Sequence, residues 1–398
     1  MVEPVERRFL IVAGEASGDL HAARLVGELR RLGPCRVAGV TGPALERAGA
    51  ERIVPMDELA VIGFSAIVPR LPRLWRAYQR VLEAYDRLRP EVCILVDSPG
   101  FNFRLGPALK RRGARVFYYI APQVWAWHAE RAAQMARWVD RLAVVFPFEE
   151  PLFRKVGVDA RFVGHPLLDS LAPEVDQPKL WSELGLAPGT RVVGLLPGSR
   201  AQEVRQHAGV LLGAARALAR TRPDLAFVVA RSGAGEPEER DAGAREFCAR
   251  AGVAPPGEAA EPGQDWTLRV ARGRTRAVQA FATCCAVASG TATLETALFG
   301  TPLAIVYRVG AINYAIARRV IRLQRIGLPN IVAGEDVAPE LIQRAFTPAA
   351  LEATLAPWLD DPAANARARA QLKVVRERLG SPGASARAAA LAWELAGA

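Results

Sequence analysis

The sequence predicts an α/β protein built from two Rossmann-like domains in tandem, each a parallel sheet covered by helices. Three observations carry that expectation. The chain has 398 residues, too many for one core when a domain takes roughly 100 to 200. Short apolar runs alternate with helix-compatible segments, the pattern of a buried parallel sheet with its crossover helices. The pattern breaks at residues 171–180, where Pro173, Asp176, Gln177 and Pro178 interrupt it, and then starts again.

In the first series the runs are 9–13, 37–40, 92–96, 116–120, 142–145 and 161–163, with helical stretches such as 20–31 and 74–88 between them. In the second they are 192–196, 225–230, 286–288 and 303–306, and the Gly-rich acidic stretch 233–243 reads as a solvated loop. The implied domains are 1–170, joined by a C-terminal helix at about 383–398, and 180–380.

Composition narrows the class. Hydrophobic residues are 51% and charged residues 23%, enough apolar material to fold unaided. Cys35, Cys93, Cys248, Cys284 and Cys285 show no C-x-x-C spacing, which fits neither a zinc site nor a disulfide framework and points to a reducing compartment. No signal peptide is legible, because the run 9–13 is short and Glu15 follows it. The stretch 277–307 has Glu295 as its one charge, but its Thr, Ser and Gly make it buried core around a site, not a membrane span. A net charge of +11 calls for an anionic partner: nucleic acid, a phosphate-bearing substrate or an acidic membrane surface. No recognition-helix, RRM or KH pattern accompanies the charge, which argues against nucleic acid.

Ligands of open parallel sheets collect beyond the carboxyl ends of strands, and six segments fall there. After the first strand, Gly14, Glu15, Ser17, Gly18, Asp19 and His21 form either a capped turn or a seat for a sugar whose hydroxyls bond Glu15 or Asp19. Asp97 ends the run 92–96 and precedes Gly100, Phe101 and Asn102. Partial burial there raises a carboxylate's pKa and suits it to general-base work, although an Asp capping the next helix has the same position. Residues 118–128 cluster Tyr118, Tyr119, Gln123, Trp125 and Trp127, aromatic surfaces that suit sugar rings as well as they suit wall packing. His128 there is no metal site, since no second ligand stands at ligating spacing.

In the second series, Pro197, Gly198, Ser199, Arg200 and Glu203 read as a diphosphate clamp, with Arg200 as the fixed cation. Ser289, Gly290, Thr291 and Thr293 sit at a strand-to-helix junction that favours phosphate. Glu295 is a lone carboxylate for which a ribose diol is a suitable partner, the alternative being a distant arginine such as Arg308. Asn330, in 326–334, reads either a base or sugar through its amide or its own turn.

Taken in order, G-E-A-S-G-D (14–19), P-Q-V-W-A-W-H (122–128), F-P-F-E (146–149), G-H-P (164–166), P-G-S-R-x-x-E-V (197–204), S-G-T-A-T-L-E (289–295) and L-P-N-I-V-A-G (328–334) resemble lipid-A-disaccharide synthases from residue 9 to about 343. The resemblance implies a GT-B-type fold with two domains facing across a cleft and a C-terminal helix returning to the first. It implies an inverting, cofactor-free and metal-independent transfer of 2,3-diacylglucosamine from UDP to 2,3-diacylglucosamine 1-phosphate, forming a β-1,6 linkage. Asp97 then matches the base. Glu15, Ser17, Asp19, His21, Asn102, Gln123 and Trp125 line the acceptor, and Gly198 to Arg200, Glu203, Ser289 to Thr291, Thr293, Glu295, Tyr307 and Asn330 the donor. The chain departs from the family at Gly100, where a second Asp is usual, and at Glu335, where a basic residue is expected.

Acylated substrates require access to a bilayer. Val61, Ile62, Phe64, Ile67, Val68, Leu71, Leu74 and Trp75, punctuated by Arg70, Arg73 and Arg76, offer an apolar and cationic surface for the anionic cytoplasmic face of the inner membrane. Arg318, Arg319, Arg322 and Arg325 extend it, unless 61–76 is simply a helix covering the core. The expected location is cytoplasmic and peripheral, and a homodimer is compatible with such a chain. A UDP-N-acetylglucosamine 2-epimerase or another UDP-sugar transferase shares the fold but needs no acyl-chain surface.

Overall fold

The protein is described from a computed structural model covering residues 6–59, 67–124, 130–231, 247, 249, 266–310 and 325–398, with 67–71 described through their backbone. The chain divides into two compact units, 1–169 with 379–398, and 170–378.

In the first unit β1 (Arg7–Ala13), β2 (Cys35–Thr41), β3 (Glu51–Pro55), β4 (Val92–Val96), β5 (Val116–Tyr119), β6 (Arg141–Val144) and β7 (Ala160–Phe162) form one sheet in the order β3-β2-β1-β4-β5-β6-β7. Every neighbouring pair is parallel. The helices are α1 (Ala16–Leu32), α2 (Pro43–Arg47), α3 (Ile67–Leu88), α4 (Pro99–Arg111), α5 (Glu130–Met135) and α6 (Glu149–Arg154). The central strands are apolar along their whole length because helices cover both faces of such a sheet: β4 reads Val-Cys-Ile-Leu-Val and is buried throughout.

The second unit continues with α7 (Gln177–Glu183), β8 (Arg191–Leu196), α8 (Ala201–Thr221), β9 (Leu225–Arg231), β10 (Thr267–Arg272), α9 (Thr275–Phe281), β11 (Cys284–Ala288), α10 (Thr291–Leu298), β12 (Leu303–Tyr307), α11 (Leu328–Ala333) and β13 (Glu340–Ile342). It ends with α12 (Pro348–Asp360), α13 (Pro362–Gln371) and α14 (Lys373–Arg378). Its sheet is also parallel, ordered β10-β9-β8-β11-β12-β13.

The last helix, α15 (Ala384–Gly397), returns to the first unit. There Trp393 lies against Phe9 with Arg7 over its ring, and Arg141 donates to the Leu391 carbonyl at 3.1 Å. Asp169, the residue at which the chain leaves the first unit, accepts the backbone N–H groups of Gly383, Ala384 and Ser385 at 2.5 to 3.4 Å. One carboxylate thereby caps α15 and pins the chain's exit point to its return.

Three strands escape the sequence reading, β3, β10 and β13, and each is a sheet edge. Edge strands bury little, so they lack the apolar run that marks a central one: β13 has no fully buried residue.

Candidate functional site at the strand ends

In each unit the strand order reverses beside the first strand of the series, between β1 and β4 and between β8 and β11. Such a switch point leaves a crevice at the carboxyl ends, because the flanking crossovers run to opposite faces. Four of the six segments singled out above follow these four strands.

In the first unit the loops after β1 and β4 touch. A Cβ on Gly14 would lie 2.3 Å from the Ser98 Oγ, so only glycine lets the two loops approach. Asp97 and Ser98 both take left-handed conformations, with φ of 45° and 47°. Such backbone costs about 1 to 3 kcal/mol per residue and persists when its surroundings over-determine it. Those surroundings are two buried side chains: the Tyr118 hydroxyl donates to the Asp97 carbonyl at 2.5 Å and Asn102 Nδ2 at 2.7 Å. The carboxyl of Asp97 is half-buried. Burial first, and then the negative charge of Glu15, push its pKa up to about 6.

The remaining residues of this crevice divide. Glu15, Ser17 and Gln123 are exposed, and His21 is half-buried. Asp19, expected at the acceptor, is instead buried, and its oxygens accept the N–H groups of Gly42, Ala44 and Leu45 at 2.8 to 3.2 Å. It caps α2. Asn102, also expected at the acceptor, has no exposed surface and works from beneath the loop as a support for Asp97. Trp125, Trp127 and His128 lie outside the described residues, as do Val61, Ile62 and Phe64 and the whole of the acidic loop 233–243. Ile67, Val68 and Leu71 are described by backbone alone, in α3. Leu74 is half-buried, and Trp75 is 61% exposed, stacked on Tyr78. Of the second basic group, Arg318, Arg319 and Arg322 are outside the described residues, and Arg325 pairs with Asp336 at 2.5 Å.

In the second unit the turn Pro197–Arg200 is held at every peptide. His207, wholly buried, meets the Pro197 carbonyl through Nδ1 at 2.7 Å and accepts the Arg308 N–H through Nε2 at 3.0 Å. Burial lowers its pKa, which keeps the ring neutral with its proton on Nδ1. Arg231 Nη1 donates to the Gly198 carbonyl at 2.9 Å. Glu203 Oε2 accepts the N–H groups of Ser199 and Arg200 at 3.1 and 3.3 Å, and a Cβ on Gly198 (φ 110°) would collide with that carboxylate. Glu203, expected to meet the donor, therefore shapes the turn from inside. It also pairs with Arg200 at 3.3 Å, yet the Arg200 side chain remains 83% exposed. Tyr307 is half-buried at the end of β12.

After β11, Gly290 (φ 152°) starts α10 with open space around it and no side-chain cap. Gly290 and Thr291 are exposed, so the positive end of that helix faces outward. Ser289 donates to the Ile326 carbonyl at 3.3 Å. Thr293 is buried and donates to the Gly290 carbonyl at 2.7 Å, which removes it from the ligand-facing set. Glu295 has a partner that the sequence reading missed. Arg276 Nε and Nη2 both reach its Oε1, at 3.2 and 3.1 Å, while Arg308 turns to the carbonyls of Gln343 and Phe346. Burial raises the Glu295 pKa, and Arg276 opposes the rise. The signal was available, since Arg276 is the last charge before the uncharged stretch.

Asn330 is likewise committed to the fold. Its Nδ2 donates to the Ala338 carbonyl and Glu340 Oε1, and its Oδ1 accepts the N–H groups of Val337 and Ala338, all at 2.7 to 2.9 Å. An amide with two donors and two acceptor sites filled has nothing left for a base or sugar.

Comparison with known proteins gives this geometry a context. The family model for lipid-A-disaccharide synthetase matches residues 9–240 and 258–392. The chain belongs to the lipid-A-disaccharide synthase family. The lipid-A-disaccharide synthase of Geobacter metallireducens is 40% identical over 98% of both chains. That of Syntrophus aciditrophicus is 41% identical over 97% of both. Among solved structures, a putative UDP-N-acetylglucosamine 2-epimerase from Listeria monocytogenes superposes with a TM-score of 0.65 at 13% identity, covering 96% of this chain and 95% of that one. MurG of Acinetobacter baumannii superposes at 0.59 and 14% identity, covering 98% of this chain and all of that one. At such identities these two share the fold with the synthases, a two-domain α/β GT-B arrangement, and nothing finer. Membership of the synthase family makes this chain a glycosyltransferase acting on a sugar nucleotide and a lipid phosphate. Among the described residues no helix is long and apolar enough to cross a membrane.

Proposed function

We propose that the chain transfers 2,3-diacylglucosamine from its UDP derivative to the 6-hydroxyl of 2,3-diacylglucosamine 1-phosphate, with inversion, giving the β-1,6-linked disaccharide 1-phosphate and UDP. The observation that carries this reading is the family match along nearly the whole chain, with the family's motifs at both switch points. The first unit takes the acceptor and the second the UDP-sugar.

Asp97 is the general base. Its carboxylate removes the acceptor hydroxyl's proton as the oxygen attacks the anomeric carbon and the bond to UDP breaks. A base with a pKa of about 6 is ionised at neutral pH yet basic enough to take a proton in the transition state. Glu15, Ser17, His21 and Gln123 contact the acceptor. On the donor side Arg200, the amides at Gly290 and Thr291 and the Tyr307 hydroxyl stabilise the negative charge that develops on the diphosphate. Glu295 receives the ribose hydroxyls.

The exposed Trp75 and the exposed Arg73 and Arg76 of α3 support a peripheral seat on the anionic inner-membrane surface, each cation near such a surface contributing on the order of 1 kcal/mol. One experiment tests both parts. The protein is incubated with UDP-diacylglucosamine and the 1-phosphate acceptor in anionic vesicles, sedimented, and assayed by mass spectrometry. The disaccharide 1-phosphate is expected, with the protein in the pellet at low salt and released at high salt. Absence of disaccharide there, with conversion of UDP-N-acetylglucosamine to its 2-epimer in a parallel incubation, would replace this reading with the epimerase one.

A further inference from the structure

We infer that Arg276 is a positioning residue that holds Glu295 as an ionised, fixed acceptor and so makes the nucleotide seat discriminate ribose from 2-deoxyribose. The inference deepens the reading of Glu295 given above and rests on it.

Glu295 lies on α10 with its side chain 15% exposed. A carboxylate so far removed from water tends to take a proton, and burial is the foremost influence on it here. A neutral carboxyl would serve two ribose hydroxyls poorly, because it keeps one donor of its own and loses the strength of a charge-assisted bond. The opposing influence comes from α9. Arg276 sets two of its nitrogens, Nε and Nη2, on the single oxygen Oε1 at 3.2 and 3.1 Å. The pair fixes both the charge and the rotation of the carboxylate, and neither bond occupies Oε2.

Arg276 is itself held. Its Nη1 donates to the Ser170 carbonyl at 3.2 Å. Its own backbone N–H and that of Ala277 are accepted by the two oxygens of Glu174 at 3.1 and 2.8 Å. The segment 170–174, α9 and α10 thus converge on one guanidinium, whose planar fork suits a role that demands direction as well as charge. An arginine serving only to neutralise Glu295 would not need to be clamped at backbone and side chain alike.

The test is the affinity of the full chain for UDP and for 2′-deoxy-UDP, measured by titration calorimetry at neutral pH for wild type, Arg276→Gln, Arg276→Lys and Glu295→Gln. Wild type is expected to favour UDP by about tenfold, the effect of one hydrogen bond to a charged group. Glu295→Gln and Arg276→Gln should both abolish that preference, chiefly by weakening UDP, while Arg276→Lys, which returns the charge without the fork, should restore part of it. Arg276→Gln weakening both nucleotides by one factor, or leaving the preference intact, would overturn the inference. So would a lysine variant with the full wild-type preference, a result that stands even if the glutamine variant fails to fold. Should Glu295→Gln itself keep the preference, the ribose reading fails, and that outcome is distinct from a failure of Arg276 alone.

Discussion

The first unit's switch point carries two carboxyl groups, Glu15 and Asp97, on loops that a glycine brings together, and its backbone is strained. The second unit's switch point, on the same strand topology, carries an exposed arginine, an exposed helix start and hydroxyls, and its backbone is held from below by His207, Arg231 and Glu203. On the proposed reading, a crevice meant to accept a proton gathers negative charge and limits water. One meant to stabilise a departing diphosphate presents donors and keeps its own acid turned inward. The shared sheet fixes where chemistry can happen, and the loop residues decide its sign.

The comparison breaks most visibly at Asp97. Asp97→Asn should lower kcat by roughly 10² to 10⁴-fold and leave UDP affinity unchanged by calorimetry, because the proposed reading assigns the nucleotide contacts to the second unit. Loss of UDP binding in that variant would mean that the two crevices do not divide the labour as argued.

A smaller effect is expected in the second unit at Asn330. Asn330→Ala strips partners from the Val337 and Ala338 amides and the Ala338 carbonyl, at a cost of about 2 to 4 kcal/mol. Thermal denaturation should show that cost, and UDP titration well below the transition should match wild type. A selective loss of UDP affinity with no change in Tm would return Asn330 to the ligand.

The finest test concerns Glu15. With Asp97 as an ionised base whose pKa is raised to about 6, kcat/KM should be full above that pH and fall as pH drops through it. Since the charge of Glu15 contributes to the rise, Glu15→Gln should move this acid limb to lower pH. An unmoved limb would show that burial alone sets the pKa, or that another group titrates.

Much of the fold was legible because central parallel strands are apolar from end to end, as in 92–96 and 284–288. β3, β10 and β13 were not, since an edge strand is half solvated and its residues carry no such signature. The crevices were legible through position, as polar residues immediately after buried strands. Their division of labour was not. Asp19, Asn102, Thr293 and Asn330 are the residue types that ligands use, and they are equally the types that cap helices and tie loops. Only the tertiary structure shows which oxygen is already taken. Arg276 and His207 were missed for the converse reason, since each acts on a residue distant in sequence, 19 positions away for Arg276 with Glu295 and 101 for His207 with Arg308.

The clip that Asp169 makes with α15 also bears on how the molecule is made. Residues 170–378 form a contiguous block that can collapse as soon as it leaves the ribosome, whereas the earlier unit lacks its closing helix until residues 384–397 have been synthesised. The part translated first is the part completed last. During that interval the aromatic face that Trp393 covers, at Phe9, is open to misassociation, and the wait lengthens with every residue between the clip's two halves.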